Sequence, residues 1–355
     1  MWNFTQNHRF YTNKQMKALF IGGTGTISTA ISRLLSENQE WELYVLNRGS
    51  RNNVLPANVK TITVDINDEA ATRAKLEGLT FDTVCDFICF EREQLERDYR
   101  LFAGKTKQFM FISSASAYQK PLSNYHITES TPLSNPYWLY SRNKIACEEY
   151  LMKQYRETGF PITIVRPSHT YDERSIPLGV HGKNGSWQVA KRMLEGKTVI
   201  IHGDGTSLWT MTHNSDFAKG FIGLMGNVHA IGEAFHITSD ERLTWNQIYQ
   251  TIADKLGVEL KACHVSSDFL NSVGPDYDFE GSLIGDKANS VVFDNSKLKR
   301  VVPEFCATIR FDQGIARTIA NVLSHPELQK EDKEFDAWCD KVIDAQQQAI
   351  KLFSL

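Results

Sequence analysis

Tyr140 and Lys144 are the two residues whose types and spacing point most directly to chemistry. Residues four apart share one face of a helix, so the Lys144 ammonium could lie beside the Tyr140 phenol and favour its ionised form. A free phenol has a pKa of about 10 and is a poor base at neutral pH. The pair therefore indicates proton transfer to or from an alcohol, although a Tyr and a Lys at this spacing also occur by chance.

A glycine turn, Gly22-Gly-Thr-Gly25, follows a strand predicted at residues 17–21 and precedes a helix predicted at 26–38. In this context the backbone amides and the helix N-terminus can approach a pyrophosphate, so the turn predicts a dinucleotide, NAD(P), as cofactor. Ser28 replaces the third glycine of the usual fingerprint and is small enough for close packing of the helix on the sheet. A tight turn without a ligand is the plain alternative.

The segment after the second predicted strand bears on the choice between NAD and NADP. An acidic residue normally holds the ribose hydroxyls of NAD there, whereas this chain has Asn47, Arg48 and Arg51. Two guanidinium groups suit a 2′-phosphate, so NADP is favoured over NAD. Asn47 could still bind a bare ribose, and the arginines could be solvated loop charges. Asp65 and Ile66, after the third predicted strand, are placed to meet the adenine.

Short apolar runs alternate with amphipathic stretches through the first half of the chain. Strands are predicted at 17–21, 42–46, 60–64, 82–87, 108–113 and 162–166, and helices at 26–38, 92–102 and 140–157. Such a βαβ series predicts an α/β fold with a Rossmann-type doubly wound parallel sheet. Beyond residue 170 the pattern becomes irregular and rich in glycine, which predicts a smaller α+β C-terminal substrate lobe. A ligand cleft is expected between the two.

The predicted domain organisation has three parts. Residues 1–15 form an N-terminal extension before the first strand. Residues 16–170, with a return segment at about 211–238, form the NAD(P)-binding Rossmann domain, and residues 171–210 and 239–355 form the substrate-binding lobe. The chain has no internal repeat and no low-complexity linker, so the two lobes should pack closely.

Composition and charge disfavour several classes of protein. The 355 residues include 39 basic and 42 acidic ones with no dense basic run, so nucleic acid is not an expected partner. The chain lacks a membrane-length apolar run and a signal-peptide pattern, so no membrane partner is expected and the cytoplasm is the default location. The histidines lack metal-ligand spacing, and no metal is expected. Cys85 and Cys89 are expected to be buried free thiols on one face of a strand.

Further motifs follow in a characteristic order: Ser113-Ser-Ala-Ser-Ala-Tyr118, Glu129 with Pro132, Tyr140-x-x-x-Lys144, Arg166-Pro167 followed by Tyr171, His202-Gly-Asp-Gly205, Asp216 and Asp294-x-Ser-Lys-Leu298. With the glycine turn, they make about residues 16–320 resemble the extended short-chain dehydrogenase/reductase family, the NAD-dependent epimerase/dehydratase group. The resemblance implies an enzyme in which Ser114 binds the reacting oxygen and Tyr140 is the acid/base. Lys144 would bind the nicotinamide ribose and lower the pKa of Tyr140.

The resemblance also implies a homodimer formed through the helix that carries Tyr140, and a helix buried within a single chain, which would have much the same amphipathic pattern, is the alternative. It implies a cofactor site made by Gly22, Thr24, Gly25, Thr26, Ile27, Asn47, Arg48, Arg51, Asp65, Ile66, Phe87, Ser113, Tyr140, Lys144 and Pro167.

Departures from the family pattern bear on the substrate. Ala115 and Ser116 occupy the place of the Asp-Glu pair that sugar-nucleotide 4,6-dehydratases use, which disfavours dehydration. His169 stands where sugar-nucleotide epimerases usually have Asn, and Trp209 where an Arg normally meets a diphosphate. Losing that Arg favours a free sugar, a glycoside or another polyol. The predicted substrate residues, each of which could instead be ordinary packing, are Ser116, Tyr125, His169, His181, Trp187 and Trp209.

The predicted function is NAD(P)-dependent epimerisation or oxidoreduction at a hydroxyl or carbonyl of a small, sugar-like substrate. A nucleotide-sugar 4-epimerase with altered diphosphate contacts is one alternative. A non-catalytic RNA-binding protein is another, because an atypical branch of the family, similar to chloroplast stem-loop RNA-binding proteins, also lacks the diphosphate Arg. The intact pair of Tyr140 and Lys144 favours the enzyme, since a binding module does not need it.

Overall fold

The structure, a computed structural model, describes residues 15–353. The strands are β1 (Met16–Ile21), β2 (Trp41–Asn47), β3 (Lys60–Thr63), β4 (Thr83–Asp86), β5 (Phe109–Ile112), β6 (His126–Ile127), β7 (Ile162–Pro167), β8 (His169–Tyr171), β9 (Val199–His202), β10 (Leu208–Trp209), β11 (Met211–His213), β12 (Glu233–Ile237), β13 (Leu243–Thr244), β14 (Ala262–Val265) and β15 (Val292–Phe293). The α-helices are α1 (Thr26–Ser36), α2 (Glu69–Lys75), α3 (Arg92–Phe102), α4 (Leu139–Thr158), α5 (Trp187–Leu194), α6 (Asn214–Leu224), α7 (Trp245–Leu256), α8 (Ser267–Val273), α9 (Ser296–Val301), α10 (Phe311–Ser324) and α11 (Lys333–Phe353). None of the helices within residues 15–353 is both long and apolar enough to span a bilayer.

Seven parallel strands form the main sheet in the order β12-β7-β5-β4-β1-β2-β3. β1 lies inside the sheet, and the chain moves outward through β2 and β3 before it crosses back to β4 on the other side of β1. That reversal opens a crevice at the carboxyl ends of β1 and β4, the usual place for a ligand in an open α/β sheet. The predicted Rossmann-type doubly wound parallel sheet is confirmed.

Helices cover both faces of this sheet because successive strand residues point to opposite sides and both sides are apolar. Phe20 of β1 packs with α1 and α6 on one face, whereas Leu19 and Ile21 pack with α3 and α4 on the other. Cys85 and Cys89 are both buried and free, as predicted, but they belong to different faces. The prediction of a shared face is wrong because β4 ends at Asp86, so Cys89 lies beyond the strand.

The later part of the chain both completes the sheet and builds a further core. β11 pairs with β8, α6 packs against α1, and β12 adds the seventh strand. The further apolar core surrounds Trp245 and Tyr249 of α7 and includes residues of α5, α10 and α11. The domain boundaries remain a prediction, and of the predicted N-terminal extension only Gln15 lies within the described residues.

Candidate active site

The chain turns sharply between β1 and α1. Gly22 has a φ of 83°, a left-handed conformation that L side chains rarely adopt. A Cβ at this position would lie 2.4 Å from Cγ2 of Ile88, so both the backbone and the available space require glycine. α1 begins at Thr26, and the unpaired amides of its first turn therefore lie at this bend. Such a turn suits a pyrophosphate.

Ser28 holds the glycine turn in place. Its hydroxyl donates a hydrogen bond to the carbonyl of Gly22 and accepts one from the amide of Gly25, and each bond is 2.8 Å long. The side chain is buried. The sequence indicated only that Ser28 is small enough for close packing. In the structure its hydroxyl also ties together the two ends of the turn.

A cavity of about 720 Å³, called here the cofactor cavity, opens beside the turn. All of the residues predicted to bind the cofactor line it, namely Gly22, Thr24, Gly25, Thr26, Ile27, Asn47, Arg48, Arg51, Asp65, Ile66, Phe87, Ser113, Tyr140, Lys144 and Pro167. Ser28, Ile88 and Phe90 line it as well and were not predicted to do so. The hydroxyl of Ser113 is buried without a hydrogen-bond partner among the described residues. The volume and the polar groups fit a dinucleotide.

Arg48 and Arg51 lie on the loop after β2, where they line the cofactor cavity. Both are exposed, and neither forms an ion pair with another residue in the range 15–353. Asn47 is engaged within the loop: its Oδ1 accepts from the Gly49 amide at 2.7 Å, and its Nδ2 donates to Asn52 at 2.8 Å. The two guanidinium groups are therefore the strongest available ligands for an anionic group in this part of the cavity.

Lys144 is buried on α4, at 2% exposure. Its ammonium donates hydrogen bonds to the carbonyls of Cys89 and Ile112, at 2.6 and 2.7 Å. The rings of Phe90 and Phe111 lie 4.7 and 4.9 Å from the nitrogen and add cation–π stabilisation. Burial lowers the pKa of the ammonium, and the neighbouring thiol and acidic groups oppose that effect.

Tyr140 lies one helical turn earlier, with its ring 5.8 Å from the Lys144 ammonium. Burial raises the pKa of the phenol above its ordinary value, while the adjacent Ser114 hydroxyl opposes the rise. The expected lowering of the Tyr140 pKa by Lys144 is therefore not present in this structure. The Lys144 ammonium is instead hydrogen-bonded to the two backbone carbonyls of Cys89 and Ile112.

Tyr140 and Pro167 line the cofactor cavity and also a second cavity of about 260 Å³. Ser114 lines this second cavity, so the hydroxyl and the phenol meet where the two cavities adjoin. A chain of hydroxyl groups supports Ser114. Ser141 donates to Ser116 at 2.7 Å, and the Ser116 and Ser114 hydroxyls are 2.9 Å apart. The position of the Ser114 oxygen is thereby fixed.

Three predicted substrate residues line the second cavity: Ser116, His169 and Trp209. The Trp209 indole donates to Nδ1 of His169 at 3.3 Å. Because Nδ1 accepts this bond, the proton of the neutral ring lies on Nε2. Burial lowers the pKa of His169 to about 3, so the imidazole is uncharged near pH 7 and offers one N–H donor.

The other three predicted substrate residues lie elsewhere. His181 lines an adjoining cavity of about 300 Å³, which shares His169 with the second cavity. Tyr125 is 60% exposed. Trp187 packs at the edge of the apolar core around α7. Neither Tyr125 nor Trp187 is among the described residues that line the second cavity.

Several residues that line the second cavity were not predicted: Lys120, Trp138, Asp286 and Lys287. Asp286 and Lys287 end the π-helical segment Glu280–Lys287, within a stretch that the sequence shows only as irregular. Lys120 follows the Ser113–Tyr118 motif by two residues. That closeness to a recognised motif is the one signal that could have marked it.

Arg174 approaches the glycine turn from the loop after β8. Its guanidinium donates to the Thr26 hydroxyl at 3.2 Å and to the Thr24 carbonyl at 3.5 Å, and Asp172 holds it at 2.7 Å. A cation at this turn complements the charge of a pyrophosphate. No sequence motif pointed to Arg174, because Thr24 and Thr26 lie far away from it along the chain.

A buried acidic group lies close to Lys144. Asp86, Cys89 and Asp98 present ligand atoms within 4.8 Å of one another. Burial raises the pKa of Asp98, and the neighbouring Asp86 raises it further. Arg97 pairs with Asp98 at 2.8 Å and opposes that rise. The absence of a metal stays a prediction.

Residues 18–238 match the family model described as the NAD dependent epimerase/dehydratase family. This match covers more than half of the chain. The chain therefore belongs to the NAD dependent epimerase/dehydratase family, and the resemblance drawn from its motifs is confirmed.

Individual relatives are distant. The chain is similar to the 2′-dehydrokanamycin reductase of Streptomyces kanamyceticus, at 23% identity over 82% of this chain and 80% of the relative. It is similar to the chloroplast stem-loop binding protein of 41 kDa b of Arabidopsis thaliana, at 24% identity over 68% of this chain and 63% of the relative. A solved structure of UDP-glucuronic acid 4-epimerase from Bacillus cereus, in complex with UDP-glucuronic acid and NAD, has a TM-score of 0.68 at 18% identity, covering 87% of this chain and 100% of that one. At that identity the likeness shows the fold alone.

Proposed function

We propose that this chain transfers hydride between NADP and a hydroxyl or carbonyl carbon of a carbohydrate-type substrate, as an epimerase or a net oxidoreductase. The position of Tyr140 carries the proposal, because this residue lines both cavities and lies beside Ser114. When an alcohol is oxidised in such a reaction, the hydride leaves the carbon and the proton leaves the oxygen of the same C–O group. A proton-transferring phenol is therefore needed at the boundary between cofactor and substrate.

The polar groups of the cofactor cavity support a dinucleotide. The first amides of α1, with Arg174, would hold the pyrophosphate, and Lys144 would hold the nicotinamide ribose. When bound, the cofactor supplies or accepts the hydride. NADP is preferred to NAD because a 2′-phosphate would neutralise the charges of Arg48 and Arg51.

The direction of proton transfer follows from the protonation state of Tyr140. In reduction, Ser114 donates a hydrogen bond to the substrate carbonyl while Tyr140 delivers a proton to that oxygen. The raised pKa of Tyr140 keeps the phenol protonated at neutral pH, which suits this direction. Oxidation needs the phenolate, which the raised pKa of Tyr140 disfavours.

The second cavity supports a substrate about the size of one sugar. Its volume of about 260 Å³ is slightly below the usual range for ligand sites, which begins at about 300 Å³. Trp138 and Trp209 offer aromatic surface to C–H groups, and His169 offers its Nε2–H to a hydroxyl. Trp209, which occupies the place of the diphosphate Arg, is buried against Trp245. A free sugar or a glycoside therefore fits better than a nucleotide sugar.

Tyr140→Phe tests this function in an NADPH absorbance assay with hexoses, glycosides and keto sugars. Turnover should fall by at least about 100-fold, since the acid/base oxygen is removed. The Kd for NADP should change less than about threefold, because the phenol oxygen is not a main cofactor ligand. Tyr150→Phe is the matched control, since Tyr150 is on the same helix and outside both cavities. A Tyr140→Phe enzyme with full turnover would refute the proposal.

The fate of the cofactor separates the two reaction types. Dinucleotide that copurifies with the protein and is not consumed indicates an epimerase, whereas NADPH consumed in proportion to product indicates a reductase. Turnover of nucleotide sugars alone would indicate a nucleotide-sugar 4-epimerase. RNA binding that is lost at high salt, without dinucleotide binding, would indicate a binding protein.

A further inference from the structure

The second cavity has a charged wall formed by Lys120, Asp286 and Lys287. The Asp286 carboxylate and the Lys287 ammonium are 3.7 Å apart, and their side chains are 16% and 11% exposed. The same ammonium donates to the Ser282 carbonyl at 3.2 Å. Because Asp286 and Lys287 have opposite charges at short range, they largely neutralise each other.

The backbone of Lys287 is fixed from three directions. Its carbonyl accepts hydrogen bonds from Nε2 of His202, from the Ser207 hydroxyl and from the Trp245 indole, at 3.2, 3.3 and 3.0 Å. These side chains come from β9, from the loop after it and from α7. The charged wall is therefore part of the packed structure.

Of the three residues in the charged wall, Lys120 has the weakest compensation for its charge. It is 3% exposed, and the hydrogen bond from its ammonium to the Tyr118 carbonyl, the only one that this ammonium forms with a described residue, is long, at 3.5 Å. Burial lowers the pKa of its ammonium, and the charge of Asp286 opposes that effect. A buried ammonium with so little compensation is costly. An anionic group on a ligand would supply the missing partner.

We infer that the substrate is a sugar acid and that Lys120 binds its carboxylate in the second cavity. The inference rests on the proposed function, since it takes this cavity as the substrate site. With Asp286 ionised, two ammonium groups and one carboxylate leave one net positive charge, which matches a single negative charge. A phosphate dianion would exceed that charge and be repelled by Asp286, and an amino sugar would face the ammonium groups of Lys120 and Lys287.

Calorimetric titration of the NADP-saturated enzyme tests this inference without requiring turnover. The ligands are hexuronates and hexonates, each compared with the neutral hexose, the hexosamine and the hexose phosphate of the same configuration. The acid should bind about 10- to 100-fold more tightly than the neutral sugar, the range expected for a hydrogen bond between charged groups. Lys120→Met should abolish this preference. Lys153→Met, at an exposed position of α4, should retain it.

Asp286→Asn should produce a change of opposite sign. Removing the carboxylate raises the positive charge of the wall, so the acids should bind more tightly than they do to the wild type. If the charged wall had only a structural role, Asp286→Asn would instead weaken the binding of every ligand to the same degree. Equal binding of acid and neutral sugar by the wild type, or tighter binding of the hexosamine or the phosphate, would overturn the inference.

The inference and the proposed function fail in different ways. Acid binding that requires Lys120, in a protein that never oxidises NADPH, would support the carboxylate site and refute hydride transfer. Oxidation of NADPH by neutral keto sugars, without any preference for acids, would support hydride transfer and overturn the carboxylate site.

Discussion

Replacing Ser28 with alanine should loosen the glycine turn at the cofactor cavity. The hydroxyl makes two hydrogen bonds in this turn, one to the Gly22 carbonyl and one from the Gly25 amide. Each contributes about 1 kcal/mol, so the free energy of unfolding should fall by about 2 kcal/mol. Removing a single oxygen leaves a void of little consequence, and the lost hydrogen bonds dominate the effect.

The same loss should weaken cofactor binding. If cofactor binding must supply the whole of this loss, about 2 kcal/mol, to order the turn around a pyrophosphate, the Kd for NADP rises about 30-fold. If binding supplies only part of it, the rise is smaller. Urea denaturation measures the first effect and fluorescence titration with NADPH the second. Ser36→Ala is the control, because its hydroxyl lies on the same helix and bonds to the Arg33 carbonyl, away from the turn. Equal effects of Ser28→Ala and Ser36→Ala, or none from either, would refute the reasoning.

Combining Arg48→Ala with Arg51→Ala should raise the Kd for NADP at least about tenfold and leave that for NAD nearly unchanged, because only the 2′-phosphate loses its partners. Arg156→Ala, in the last turn of α4, is the control, and equal weakening of both cofactors would contradict the assignment. Acid should destabilise the fold through His202, whose pKa burial lowers from 6.5 to about 4. The unfolded chain binds the proton first, so stability falls by up to about 1.4 kcal/mol per pH unit from about pH 6.5 toward 4. His202→Gln should give a shallower decline in urea denaturation between about pH 7 and 5, and an unchanged slope would show that His202 is not the titrating group.

Local signals made much of the Rossmann fold predictable. α3 was predicted at 92–102 and spans Arg92–Phe102, and α4 was predicted at 140–157 and spans Leu139–Thr158. Apolar periodicity and glycine punctuation act over neighbouring residues, so a single sequence records them directly. The π-helical segment Glu280–Lys287 was missed because its wider turn has no such periodic pattern.

The candidate site shows the same limit. The spacing of Tyr140 and Lys144 correctly placed them on one helix, yet the expected effect of the cation on the phenol pKa is absent from this structure. Spacing sets which side chains share a helix face. It does not show that the carbonyls of Cys89 and Ile112, from other segments, hold the ammonium.

The sequence by itself determined the fold family and the residues that could carry hydride transfer, because strand, turn, helix and motif are written in short, continuous segments. Only the tertiary structure decided that Tyr140 stands between two cavities, and that Lys120 and Asp286 share the wall of one of them. Lys120 and Asp286 lie far apart along the chain, and neither belongs to a periodic pattern. Their proximity results from the packing of remote segments, and that packing leaves the buried Lys120 ammonium with a single long hydrogen bond to a described residue.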